Sequence, residues 1–228
     1  PNYPGEVDER EFRSIWNQAW FSSLRTAAGL YRYARRHKNT KWLEYARKSK
    51  ELALAFPQHE GFFHGLIATE MEDVEINGKK YNRTKGWDHR YFGNSDRNPY
   101  SETAKDAPFH IADMSFTANQ MLIWYTDLEK DGRLLSYARN YADALLKLQD
   151  ADGFFPAWLE LNTLKPLEIL SRSPETSMSV IFLLRLYEIV KDEKYKIAAL
   201  KGMRAVMEHN LLQGQWEDFE TYWSCSRY

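Results

Sequence analysis

An ungapped internal repeat constrains this chain more than any other feature. Tyr45-Ala46-Arg47 matches Tyr137-Ala138-Arg139, and Gly61-Phe62-Phe63 matches Gly153-Phe154-Phe155, both at a spacing of 92 residues. Tyr33 and Tyr125 share that spacing. A looser third copy carries Tyr187 and Tyr195, with Gly214-Gln215-Trp216 after them. One unit reads as a helix, a tight turn, a second helix beginning near a Tyr, then Gly-aromatic and a short extended run. A helix pair cannot bury its apolar face alone, so repeated pairs stack into a solenoid or a closed ring of hairpins.

The periodicity places the helices. In the first segment, 8–37, Phe12, Ile15, Trp16, Ala19, Trp20, Ala27, Leu30, Tyr31 and Ala34 recur at three and four residues. A second helix follows over 40–56, with Thr40 as its N-cap and Pro57 as its stop. Lys130-Asp131-Gly132 joins helices at 112–129 and 133–149. Ser173-Pro174-Glu175 opens the last pair, 174–190 and 193–212, with Ser as cap, Pro at the first helical position and an acid in the first turn. The three hairpins are thus 8–56, 112–149 and 174–212. The connection 59–109 interrupts them. Within it Ile67 to Ile76 and Lys79 to Thr84 flank Asn77-Gly78, a strong signal for a β-hairpin, so a small β insertion is expected near 62–84. The expected class is all-α: one domain over 1–228, built of repeated antiparallel helical hairpins.

Charge and motifs exclude several functions. The net charge is −1, so no global field attracts nucleic acid or an anionic membrane. The basic runs Arg35-Arg36-His37-Lys38 and Arg47-Lys48-Ser49-Lys50 read as solvated helix faces. The apolar run Val180 to Leu184 is far short of the ~20 residues of a membrane span. There is no Gly-rich phosphate loop, Gly-x-Ser-x-Gly elbow, His-Glu-x-x-His or cysteine pair, which argues against zinc. The single cysteine, Cys225, forbids an internal disulfide and reads as a small buried residue. That fits a periplasmic or secreted chain whose leader has been removed, and the cytosol as well. Aromatics reach 15 %, with eight Trp and fourteen Tyr, many in loops among polar residues. Such rings pack helices, and in clefts they stack on sugars.

On this hairpin unit, the run Leu146-Lys147-Leu148-Gln149 leading into Asp152-Gly153-Phe154-Phe155-Pro156-Ala157-Trp158 resembles the (α/α) toroid enzymes. These include glycoside hydrolases, polysaccharide lyases and terpenoid-cyclase-like toroids. The resemblance covers most of the chain. It implies three of the six hairpins of an (α/α) toroid, completed by the remaining hairpins of a longer chain or by a self-associated partner. It also implies a substrate cleft at the N-termini of inner helices starting near Asp8, Asp113 and Glu175. The loops 86–112, 158–175 and 214–228 would face that cleft.

Three groups of residues carry candidate chemistry. In 216–223, Glu217, Asp218 and Glu220 alternate with aromatics that include Tyr222 and Trp223. Paired carboxylates suit glycoside hydrolysis, and they also suit calcium, a hard cation that takes oxygen ligands. The loop 86–100 holds Trp87, Asp88, His89, Arg90, Tyr91, Asp96, Arg97 and Tyr100. Arg can clasp a uronate, and His or Tyr can remove a proton for β-elimination; a self-packed loop is the plain alternative. His110, Asp113 and Glu175 sit at inner-helix starts, where acids also serve the helix dipole, and Trp158 can act as a sugar platform or as packing. The expectation is a carbohydrate-active enzyme that hydrolyses glycosidic bonds with one of Glu217, Asp218 or Glu220 and one of Asp88 or Asp113. The rivals are a lyase using His89, Tyr91 or Tyr100 with Arg90 or Arg97, and a non-catalytic carbohydrate-binding or scaffold protein. The expected partner is a carbohydrate substrate, not nucleic acid or membrane. No cofactor is expected apart from calcium.

Overall fold

A computed structural model describes residues 14–17, 23–95, 98–101 and 103–215. Three helix pairs carry the repeat: α1 (Ser23–Arg36) with α2 (Thr40–Leu54), α3 (Ile111–Asp127) with α4 (Gly132–Leu145), and α5 (Thr176–Val190) with α6 (Glu193–Ala205). A 3-10 turn, Leu146–Leu148, ends α4, and wider π-type turns continue α6 through Val206–Leu212. The second helix of every pair starts at an Asn or Asp whose side chain accepts a backbone N–H: Asn39 from Trp42, Asp131 from Arg133, Asp192 from Lys194. This satisfies one of the orphan donors of a helix start. The cap of α2 is therefore Asn39 and not Thr40.

The central helix is α3, packed between α1 and α5. It buries Ser115, Thr117 and Asn119 along with its apolar residues. Ser115 and Ser179 meet hydroxyl to hydroxyl at 2.9 Å, and Asn119 Oδ1 accepts from Arg185 Nε at 2.7 Å. Tyr31 stands edge-on to Trp124 at 5.4 Å. These pairings advance together along the helices. Helices α1, α3 and α5 therefore run in one direction, with their N-termini at one end and the hairpin turns at the other.

The repeated Gly-aromatic element is a joint between hairpins. Gly61 has φ +95°, and a Cβ there would lie 2.6 Å from the Asn140 carbonyl of α4. Gly153 has φ +114°, and its Cβ would lie 2.7 Å from the Lys201 carbonyl of α6. Only glycine tolerates both the dihedral and the approach. Beside each, a glutamine amide spans the gap. Gln58 donates to Gly61 O and Tyr137 O, and Gln149 donates to Gly153 O and Ala198 O.

Two expectations about class and boundaries are corrected. The fold is a mixture of α and β and not all-α, because the long connections fold into four small antiparallel sheets. No closed ring of hairpins is evident among the described residues. The largest sheet has the order β1 (Ser14–Asn17), β4 (Leu66–Thr69), β7 (Arg90–Gly93). The others pair β2 (Gln58–His59) with β3 (Phe62–Phe63), β5 (Met71–Ile76) with β6 (Lys79–Thr84), and β8 (Phe109–His110) with β9 (Trp158–Leu159). The first helix begins at Ser23 and not near residue 8, and Ser14–Asn17 is a strand with Trp16 opposite Ile67. Residues of the Ile15-Trp16 type favour strands, and three-residue spacing is too short a signal to overrule pairing. Asp8 lies outside the described residues. Asn77 and Gly78 have φ of 53° and 75°, the two positive values of a type I′ turn, and all of β6 is exposed, so β5–β6 projects as a hairpin. No described helix is long and apolar enough to cross a membrane.

Candidate functional site

Pairing of β8 with β9 sets the register that builds the site. His110 lies opposite Trp158, and directly opposed residues share a sheet face. The imidazole accordingly stacks on the indole, with centroids 5.1 Å apart and planes 18° apart. Ile111 N donates to Ala157 O at 2.9 Å, which fixes the strand pair to the start of α3. Trp158 is fully buried among Ala157, Leu170, Leu167 and Ile169. Its face serves His110, so it is packing rather than an open platform.

His110 precedes α3, and Asp113 stands one turn into that helix. Nδ1 of His110 lies 3.1 Å from Asp113 Oδ2. Across the gap, Glu175 begins α5, held by Ser173 Oγ, which accepts its backbone N–H. Glu175 Oε2 lies 3.1 Å from His110 Nε2. Both ring nitrogens thus face carboxylates, and both carboxylates sit at helix N-termini, where the dipole favours negative charge. Burial alone would lower the pKa of His110. The charges of Asp113 and Glu175, and the hydrogen bonds to them, outweigh burial and raise it to about 10. At neutral pH the ring is an imidazolium with a carboxyl group within 3.1 Å of each nitrogen. The Asp113 and Glu175 side chains remain 20 % and 13 % exposed. Tyr100 stands edge-on to Trp158 at 6.1 Å, and its hydroxyl accepts from Ile169 N at 2.9 Å.

Beneath this cluster lies a hydroxyl group that the sequence reading did not single out. Tyr141 OH donates to Ile111 O and lies 2.7 Å from Ser115 Oγ, which also contacts Ser179. It ties α4 to the N-terminal turns of α3 and α5. Serines recurring within apolar helices were its only signal.

The structure brings together His110, Asp113, Trp158, Glu175 and Tyr100 from the candidate residues. It places the others elsewhere. Trp87–His89 form a 3-10 turn, with the Arg90 guanidinium 4.9 Å over Trp87 and bonded to its carbonyl. His89 Nδ1 lies 3.7 Å from Glu70 Oε2. Tyr91 packs on Leu66, Ala68 and Ala104. Among the described residues no hydrogen bond, ion pair or ring contact joins Trp87, Asp88, His89 or Arg90 to the His110 cluster. Arg97, Glu217, Asp218, Glu220, Tyr222 and Trp223 lie outside the described residues, as does Asp96. No group of three or more His, Cys, Asp or Glu side chains among the described residues is arranged to hold a metal ion. The carboxylates considered for calcium at 217–220 are not among those residues.

No family model matches the chain, and no curated protein matches it.

Proposed function

We propose that the chain hydrolyses glycosidic bonds at the N-terminal ends of α3 and α5, with Asp113 and Glu175 as the working carboxylates. The observation that carries this reading is the convergence of two acids, from different connections, on one imidazolium at adjoining helix starts. Apolar side chains would fill that space at lower cost, since charges taken from water must be repaid by good partners. Strongly shifted groups of this kind concentrate at functional sites. Hydrolysis asks one carboxyl to hold a proton while the other stays charged. His110, protonated at neutral pH, orients both acids. A ring protonated at neutral pH is a poor base there, which weighs against β-elimination.

The test is turnover of neutral and uronate-containing oligosaccharides by the wild type and by Asp113→Asn and Glu175→Gln. Release of new reducing ends, lost at least 100-fold in both folded variants, is the expected result. Formation of unsaturated uronate would establish elimination instead. Binding without turnover would leave a non-catalytic carbohydrate site.

A further inference from the structure

Among the described residues, the repeat that joins the hairpins leaves two matching half-joints unfilled, one on each edge of the array. Spacings of 92 and then 61 residues relate the three second helices, α2, α4 and α6, as Asn39, Asp131 and Asp192 show. At one edge, Trp42 and Tyr45 on α2 are 39 % and 46 % exposed. Their equivalents are Leu134 and Tyr137 on α4, and Tyr195 and Ala198 on α6, all buried. Tyr137 OH reaches back to Phe56 O and Tyr195 OH to Asp143, each in the preceding hairpin. The acceptors of the glutamine bridges, Tyr137 O and Ala198 O, correspond to Tyr45 O, which among the described residues takes the Ser49 hydroxyl besides its helical bond. The α2 face is a socket of the repeat.

The opposite edge carries the plug. Gln149 and Gly153 correspond to Asn210 and Gly214. Gly214 keeps the positive φ, at +66°, yet no described residue lies within 4 Å of a Cβ placed there. Asn210 donates to Gln215 O at 2.6 Å within its loop and to Arg172 O at 3.2 Å in its own hairpin, where the amides of the internal joints reach across to the next helix. Gln58 Oε1 accepts from Asn140 across its joint at 3.2 Å, whereas buried Asn210 Oδ1 has no donor among the described residues. Met203 and Met207, exposed on this edge, replace Ala142 and Leu146, which are buried and half-buried.

We infer that this protein associates head to tail, the Asn210–Gly214 edge of one copy seating on the Trp42–Tyr45 face of α2 in a second copy. The occupant follows from continuity with the two internal joints, whose two halves are what these edges present. Each internal joint also pairs an acid with a cation, Glu51 with Arg133 and Asp143 with Lys194. The equivalent pair between copies is Arg204 with Lys41, a like-charge contact, so the association is weaker than the internal joints. An interface of this head-to-tail kind closes into a ring or extends as a filament.

Sedimentation velocity over a concentration series tests the inference. The wild type should associate with rising concentration, and Arg204→Glu, which restores the acid of the repeat, should tighten the association at least fivefold. Trp42→Glu/Tyr45→Glu and Met203→Glu/Met207→Glu should each be monomeric, with unchanged circular dichroism. Mixed one to one, those two variants should form a heterodimer through their intact edges. A wild type that stays monomeric at its solubility limit overturns the inference. So does association that survives both edge variants, or a mixture that yields no heterodimer.

Discussion

Charged clusters stand at both ends of the helices, and they are composed differently. At the turn end, the buried ammonium of Lys50 meets Asp131 at 2.8 Å, Glu51 at 3.1 Å and Glu129 at 3.6 Å. Arg133 clasps Glu51 and Asp131, and Arg47 reaches Glu129 at 2.7 Å. Three acids there face three cations, and together they bind the first hairpin to the second. At the other end one imidazolium faces two acids. A network that neutralises itself is complete without a ligand. Two partly buried acids gathered on one histidine make the arrangement proposed above to act on a substrate. The contrast separates a clamp from the proposed site.

Acid and alkali should act on the two ends with opposite sign, and this is the largest effect expected. His110 has a folded pKa raised from 6.5 to about 10. Its contribution to stability is fully present below the unfolded value, and it is lost as pH rises from there through about 10. Each pKa unit is worth about 1.4 kcal/mol, so the loss over that window is several kcal/mol. Asp131 shifts the other way: hydrogen bonds from Arg133 outweigh desolvation, and with Lys50 they hold its carboxyl far below the usual range. Its contribution is present above about pH 4, the usual carboxylate range, and fades as pH falls below that. Urea unfolding between pH 5 and 10 should show the wild type losing stability relative to His110→Gln as pH rises. Parallel curves would mean that the imidazole is not held charged, and the contrast between the ends would collapse.

Next in size is removal of the buried cation. Lys50→Met leaves Asp131 and Glu129 without their shared partner, and breaking a buried pair costs about 3–5 kcal/mol. The lower end of that range is expected, since Glu51 is half exposed and Arg133 still binds Asp131. Folded variant protein should keep its activity per molecule, because Lys50 lies at the far end of the helices from His110. A loss of activity without a loss of stability would show that the turn end does more than clamp.

Legibility in the sequence followed the range of the interactions. The hairpins could be read because their apolar spacing is local, and the β5–β6 turn because Asn77-Gly78 specifies it. His110, Asp113 and Glu175 could be singled out because helix starts mark themselves with Ser-Pro-Glu and first-turn acids. Their convergence could not, since it depends on β8 pairing with β9 far along the chain. Strand β4 was read as part of the hairpin arm Ile67 to Ile76, because Leu66, Ile67, Ala68 and Thr69 are all buried and give no alternation to mark the break before β5. Strand β1 was lost inside a helical spacing that its pairing with β4 overrode. The dense polar and aromatic run at 87–91 drew attention for its composition, yet Arg90 spends its charge on Trp87 and Tyr91 packs on β4. Residue type showed where polar chemistry is concentrated, while only tertiary pairing decided which groups face one another.

The smallest effect expected is at the rim of the turn end. Arg32 on α1 meets Asp127 on α3 at 3.0 Å, with both side chains about half exposed. Solvent screens such a pair, and ordering two long side chains offsets much of its attraction, so Arg32→Ala should cost less than about 1 kcal/mol. Half-molar salt should erase even that, because the screening length then falls well below 10 Å. The measurement is the midpoint of urea unfolding for wild type and variant at low and high salt. A cost above about 2 kcal/mol that persists in salt would mean that Arg32 and Asp127 act as one unit with the Lys50 network. A double-mutant cycle with Lys50→Met would then show coupling instead of additivity. The clamp would in that case extend from the buried ammonium to the surface, spanning α1, α2 and α3, and the boundary between the completed end of the molecule and its exposed rim would have to be redrawn.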